Sequence, residues 1–102
     1  MTLYRVIISP EAQRLMGNCV LFLAEKSFEA AVMLKERLVE EVRELERFPQ
    51  RYPFFNEPYL PANKYHKMFV ERYYLVLYQI KDDAVFVEYV VDCRQDFAWL
   101  LR

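Results

Sequence analysis

The chain has 102 residues, 55% hydrophobic and 28% charged, with 14 basic against 15 acidic side chains and a pI near 5.8. That length supports one core and one domain, 1-102, and the near-neutral balance offers no global attraction to nucleic acid. A single glycine, Gly17, and a single histidine, His66, exclude glycine-rich phosphate loops and multi-histidine metal sites.

No run approaches the roughly 18 apolar residues that span a bilayer, and Met1-Thr2-Leu3-Tyr4-Arg5 lacks a secretory pattern, so no membrane association and a cytoplasmic location are expected. In that setting Cys19 and Cys93 are expected as reduced, partly buried thiols, with a disulfide as the alternative. Neither has a second cysteine or a histidine at ligand spacing, and neither metal nor cofactor is expected. Ser9 and Ser27 stand where helix caps are needed, which leaves no serine for a triad.

In chain order, Tyr4-Arg5-Val6-Ile7-Ile8 reads as a short strand and Ser9-Pro10-Glu11 as a cap, a first-turn proline and an early acid. Apolar residues at Leu15, Met16, Cys19, Val20, Phe22 and Leu23 predict a helix to about Glu25, weakened at Gly17 but not broken. Ser27 then caps a second helix with its stripe at Phe28, Ala31, Leu34, Leu38, Val42 and Leu45, predicted to run to Phe48-Pro49. So short a connection makes the pair an antiparallel hairpin.

From Pro49 to Asn63 the chain is rich in proline and aromatic residues, and suits neither regular helix nor central strand. Its aromatics either seal one end of the core or offer a contact surface to a partner or nucleic acid. Beyond it, a segment beginning at Tyr65, then Tyr73 to Ile80 and Val85 to Val91, read as antiparallel strands, with Lys81-Asp82-Asp83 as a hairpin turn. The near-continuous apolar runs predict helices on one sheet face and partial cover on the other. The expected fold is α+β: an N-terminal strand, an antiparallel helical hairpin, and a mainly antiparallel sheet of about four strands with the first strand beside the last.

Taken together, Ser9-Pro10-Glu11-Ala12, the helix closing on Leu45-Glu46-Arg47-Phe48-Pro49, and the block from Tyr65 to Asp96 resemble the RelE/ParE family of toxins from bacterial type II toxin-antitoxin modules, also described as plasmid stabilization proteins. The resemblance covers nearly the whole chain and lies in order and spacing. It implies a growth-inhibitory toxin neutralised by a cognate antitoxin, with either DNA gyrase or the ribosome and its mRNA as target.

Endonucleases of this kind need no metal: a base activates the ribose 2′-hydroxyl, cations stabilise the phosphorane and an acid protonates the leaving oxygen. The resemblance places His66 at the first of two basic strand positions, with Met68 at the second. Leu75 replaces an expected arginine, and Phe97 and Trp99 stand where a tyrosine or histidine is common. Arg94 matches the arginine after the last strand. His66, Lys67, Arg72 and Arg94 are therefore the catalytic candidates of an endonuclease, with Lys64 and Arg51 as substrate-binding candidates. Alternation turns Lys67 away from His66. The missing cations and neutral charge favour gyrase inhibition without catalysis over mRNA cleavage.

Each candidate has a structural alternative. His66 reads equally as a half-exposed strand residue without chemistry, Arg72 as a solvated turn residue, and Arg94 as an ion-pair partner of Asp92 or Asp96. Tyr73, Tyr74, Tyr78 and Tyr89 read as core or sheet-face residues, and Trp99, Leu100 and Leu101 as docking the C-terminus. The antitoxin is expected across the exposed sheet edge and the groove of the helical hairpin.

Overall fold

A computed structural model describes residues 3-94. Gln95, Asp96, Phe97, Trp99, Leu100 and Leu101, on which several expectations fall, lie outside the described residues. The elements run β1 (Arg5–Ile8), α1 (Pro10–Ala24), α2 (Phe28–Arg43), β2 (His66–Val70), β3 (Tyr74–Lys81) and β4 (Ala84–Asp92). Both helix starts follow their local chemistry. The Ser9 hydroxyl accepts from the Ala12 amide at 3.0 Å, with Pro10 opening α1, and the Ser27 hydroxyl accepts from the Ala30 amide at 3.1 Å.

The second helix ends sooner than its periodicity predicts. After Arg43 the chain tightens into a 3-10 turn, Glu44–Glu46, and a left-handed Phe48 at φ 46° redirects it into a second one, Pro49–Arg51. Leu45 still reaches the core at 0% exposure because the 3-10 turn keeps it on the buried side.

The sheet order is β1-β4-β3-β2, with β1 parallel to β4 and the other pairs antiparallel. The first strand thus lies beside the last, as expected. Its parallel direction follows from the connection that returns it through the whole hairpin. Helices and sheet enclose the main core, in which Ala12, Leu34, Leu38, Val42 and Leu45 meet Met68, Val70, Val76, Tyr78, Val85, Val87 and Val90. On the opposite face Leu75, Leu77 and Val91 pack with Tyr65 and Phe55, backed by Leu60. The proline-rich segment supplies this second layer. Its Phe55 and Leu60 seal the core, as the first reading of the segment has it, but over a sheet face rather than at one end.

Phe55 and Lys67 donate backbone bonds at 2.7 and 2.8 Å to the carbonyls of Tyr65 and Pro53, so the segment also pairs with the start of β2 through a bridge at Phe54 and His66. The ladder of β3 and β4 slips between Leu77, opposite Tyr89, and Tyr78, opposite Val87. Glu88 is the extra residue. This bulge reverses the alternation of β4, so that Val90 follows Val85 and Val87 into the helix-covered core and Asp92 falls on the same face.

Candidate functional site

Asp92 is the centre of the polar cluster that holds Arg94. Its carboxylate is only 4% exposed and accepts from Arg94 at 3.0 Å (Nε to Oδ1) and 3.1 Å (Nη2 to Oδ2), while Oδ1 also accepts from the Arg94 amide at 3.0 Å. The same Nη2 donates to the Tyr74 hydroxyl at 2.8 Å. The guanidinium lies over the rings of Tyr73 and Tyr74 at 4.8 and 5.4 Å. Two-point bonding and ring contact fix its plane, as few surface arginines are fixed. Hydrogen bonding to Asp92 raises the Arg94 pKa further, and burial raises that of Tyr74 against the opposing pull of Arg94, so the pair stays cation and neutral phenol.

The structural reading of Arg94 as an ion-pair partner of Asp92 is therefore the observed geometry. Its Nη1 takes no hydrogen bond among the described residues and is free to meet an anion. Arg72 lies in the turn between β2 and β3 at the same end of the sheet, where the Cys93 amide donates to the Tyr73 carbonyl at 2.8 Å. It is exposed, left-handed at φ 69°, and makes no ion pair among the described residues.

His66 sits elsewhere and is not half-exposed. At 8% exposure it is enclosed between Phe54, with ring centroids 4.2 Å apart, and Tyr78, stacked at 5.3 Å. Its Nδ1 lies 2.7 Å from the Tyr52 carbonyl, which can only accept, so this nitrogen carries a proton. Tyr78 in turn donates its hydroxyl to the Pro49 carbonyl at 2.7 Å, and burial pushes its pKa far above the ordinary phenol range. Together the two rings tie β2 and β3 to the segment that follows the helices. That burial comes from the same segment that seals the far sheet face.

The remaining candidates scatter. Lys67 faces the side opposite His66, as alternation requires. Lys64 lies with its ammonium 5.2 Å from the Tyr65 ring. Arg51 is spent on the last helical turn, donating to the carbonyls of Arg47 and Phe48 while lying 4.8 Å over Tyr52. Met68 and Leu75, the apolar residues at expected cation positions, are each 1% exposed in opposite layers of the core.

His66 pairs in register with Tyr78, and Tyr74 with Asp92. Four residues of β3 separate those positions, about 13 Å at roughly 3.3 Å per residue. Arg72 and Arg94 therefore share one end of the sheet, and His66, Lys64 and Arg51 do not join them. No single reacting phosphate meets both His66 and Arg94 in this arrangement.

Both cysteines are free thiols. Burial, reinforced by the Asp92 charge, pushes the Cys19 thiol from 9.0 up to about 11, and burial raises Cys93 as well. Among the described residues no cluster of three or more His, Cys, Asp or Glu side chains is placed to hold a metal ion, and no helix is long and apolar enough to cross a membrane.

Two features were missed by sequence reasoning. Asp92 reads as an outward residue until the bulge at Glu88 turns it inward, and no local signal marks that bulge. The other is how far the expected hairpin groove extends: about 410 Å³ of it lies between the helices, lined by Ile8, Met16, Gly17, Val20, Leu38 and Val39. It continues through Ile8 and Val39 into a second, of about 360 Å³, between the far half of α2 and β1. A hairpin groove was expected, but its extension along β1 required the sheet order.

A scan against protein-family models finds no match, and neither does a search of curated proteins. Among solved structures, a chain of the "Chromosomal ParDE TA system from P. aeruginosa" superposes with a TM-score of 0.70 at 11% identity, covering 88% of this chain and 96% of that one. The α+β architecture is thus RelE/ParE-like, as the resemblance implied.

Proposed function

We propose that this protein is the toxin of a type II toxin-antitoxin module, growth-inhibitory when free and neutralised by a cognate antitoxin that occupies the groove between α1, α2 and β1. The fold shared with a ParDE chain supports this reading, as does the apolar groove between the helices, which suits an amphipathic partner segment. Within it, the toxin acts by binding, as an inhibitor of DNA gyrase. The observation that carries this choice is the separation of His66 from Arg94, with His66 buried and Arg51 spent on backbone carbonyls.

One observation favours the alternative, a ribosome-dependent mRNA endonuclease. Arg94 is held in one orientation, with Nη1 taking no hydrogen bond and the neighbouring Arg72 no ion pair among the described residues, beside the half-exposed ring of Tyr73, a set that suits a phosphate and a stacked base. Such a site would use Arg72 and Arg94 as cations, with Lys67 on the other face and His66 outside it. The two readings separate on induced growth arrest. Gyrase inhibition predicts that Arg94→Ala and His66→Phe, each verified as folded, still arrest growth and that co-expression of the neighbouring small gene relieves it. Loss of arrest in folded Arg94→Ala together with cleaved transcripts in the wild type would overturn the binding mechanism.

A further inference from the structure

Gly17 is the only glycine in the chain and it stands in mid-helix, where no turn or positive φ demands one. Among the described residues a Cβ built there meets nothing within 4 Å, so their packing does not demand a glycine either. Glycine at an exposed helix position weakens the helix relative to alanine, and nothing among the described residues offsets that. The position does have a distinctive neighbourhood. Gln13, Met16, Gly17 and Val20 follow the i, i+3, i+4, i+7 spacing of the four residues that make one hole on a helix surface, and all four line the interhelical groove. With no side chain at Gly17 that hole is as deep as a helix surface allows.

We propose that Gly17 is a notch in the docking groove, seating one bulky apolar side chain of a partner helix whose acidic flank meets Lys35 and Arg43. This rests on the toxin-antitoxin reading and makes the occupant an amphipathic segment of the antitoxin. Three observations select that occupant. The walls are helix ridges, from Met16, Val20 and Leu21 on one side and Leu38 and Val39 on the other, which suit a third helix laid between them. From Lys35 to Glu46 the two continuous grooves follow α2 and its extension for about 16 Å at 1.5 Å per residue, three turns of a partner helix. Lys35 and Arg43 line this path, and neither makes an ion pair among the described residues, so an acidic partner flank finds cations still unengaged.

The test compares wild type, Gly17→Ala, Gly17→Leu and Asn18→Leu, the last being an exposed α1 position outside the groove lining. Each is titrated calorimetrically with the protein encoded by the adjacent small gene, and each is melted alone. Both Gly17 variants should melt no lower than wild type. Affinity should fall severalfold for Gly17→Ala and on the order of 100-fold for Gly17→Leu, the effect of overpacking one contact, and should be unchanged for Asn18→Leu. Wild-type binding with undiminished affinity in folded Gly17→Leu would overturn the notch and leave the toxin-antitoxin reading standing. A wild type that does not bind the neighbour's product would overturn that reading itself. A wild-type dimer in sedimentation that Gly17→Leu dissociates would assign the groove to a second copy and overturn the antitoxin helix.

Discussion

Arg94 and His66 are both hydrogen-bonded basic side chains, yet burial gives them different roles. The Asp92 carboxylate is inside and its guanidinium partner is 45% exposed, so removing the acid releases a cation that water can take up. Asp92→Ala should therefore cost only about 1–2 kcal/mol, the range of a charged hydrogen bond partly replaced by solvent, read as a shift in the urea midpoint. His66→Phe keeps the ring between Phe54 and Tyr78 and loses one bond to Tyr52, a cost of about 1 kcal/mol. Cys19 gives a pH-dependent signature. Its thiol pKa is raised on folding from 9.0 to about 11, so the folded state holds the proton longer than the unfolded chain. The stability linked to it is fully present below pH 9 and is lost as pH rises towards 11. Folded Cys19 should accordingly resist iodoacetamide at pH 8, and become labelled on unfolding.

At the scale of elements, caps and periodicity are local and were legible: Ser9 and Ser27 cap both helices, β3 and β4 lie within a residue of their predicted spans, and β2 starts within a residue of Tyr65. The turns were harder to read because a chain with one glycine makes its left-handed corners from other residues. Phe48, Asn63, Glu71, Arg72 and Asp82 all have positive φ, where a side chain costs about 1 kcal/mol. Arg72→Gly should relieve that strain and raise stability by about 0.5–1 kcal/mol, measurable in thermal unfolding. The proline-rich segment carries the second core layer on Phe55, 8% exposed. Phe55→Ala should cost about 3 kcal/mol and uncover the face formed by Leu75, Leu77 and Val91.

For the whole molecule, the fold was legible because strand order and hairpin length leave few ways to close this sheet. The site was legible only as residue types. Which of them meet depends on register, and register depends on a bulge at Glu88 that carries Asp92 and Arg94 to one face and one end. The same register leaves His66 about 13 Å away along β3, at roughly 3.3 Å per residue. An RNA-cleaving centre needs base, cation and acid around one phosphate, and the candidates His66 and Arg94 stand at different ends of this sheet. A surface that inhibits by binding has no such requirement. The decisive measurement is plasmid supercoiling and transcript 5′ ends mapped in the same cells after induction without the neighbouring gene. Gyrase inhibition should alter supercoiling and leave transcripts intact; new ribosome-dependent cleavage ends with normal supercoiling would overturn it.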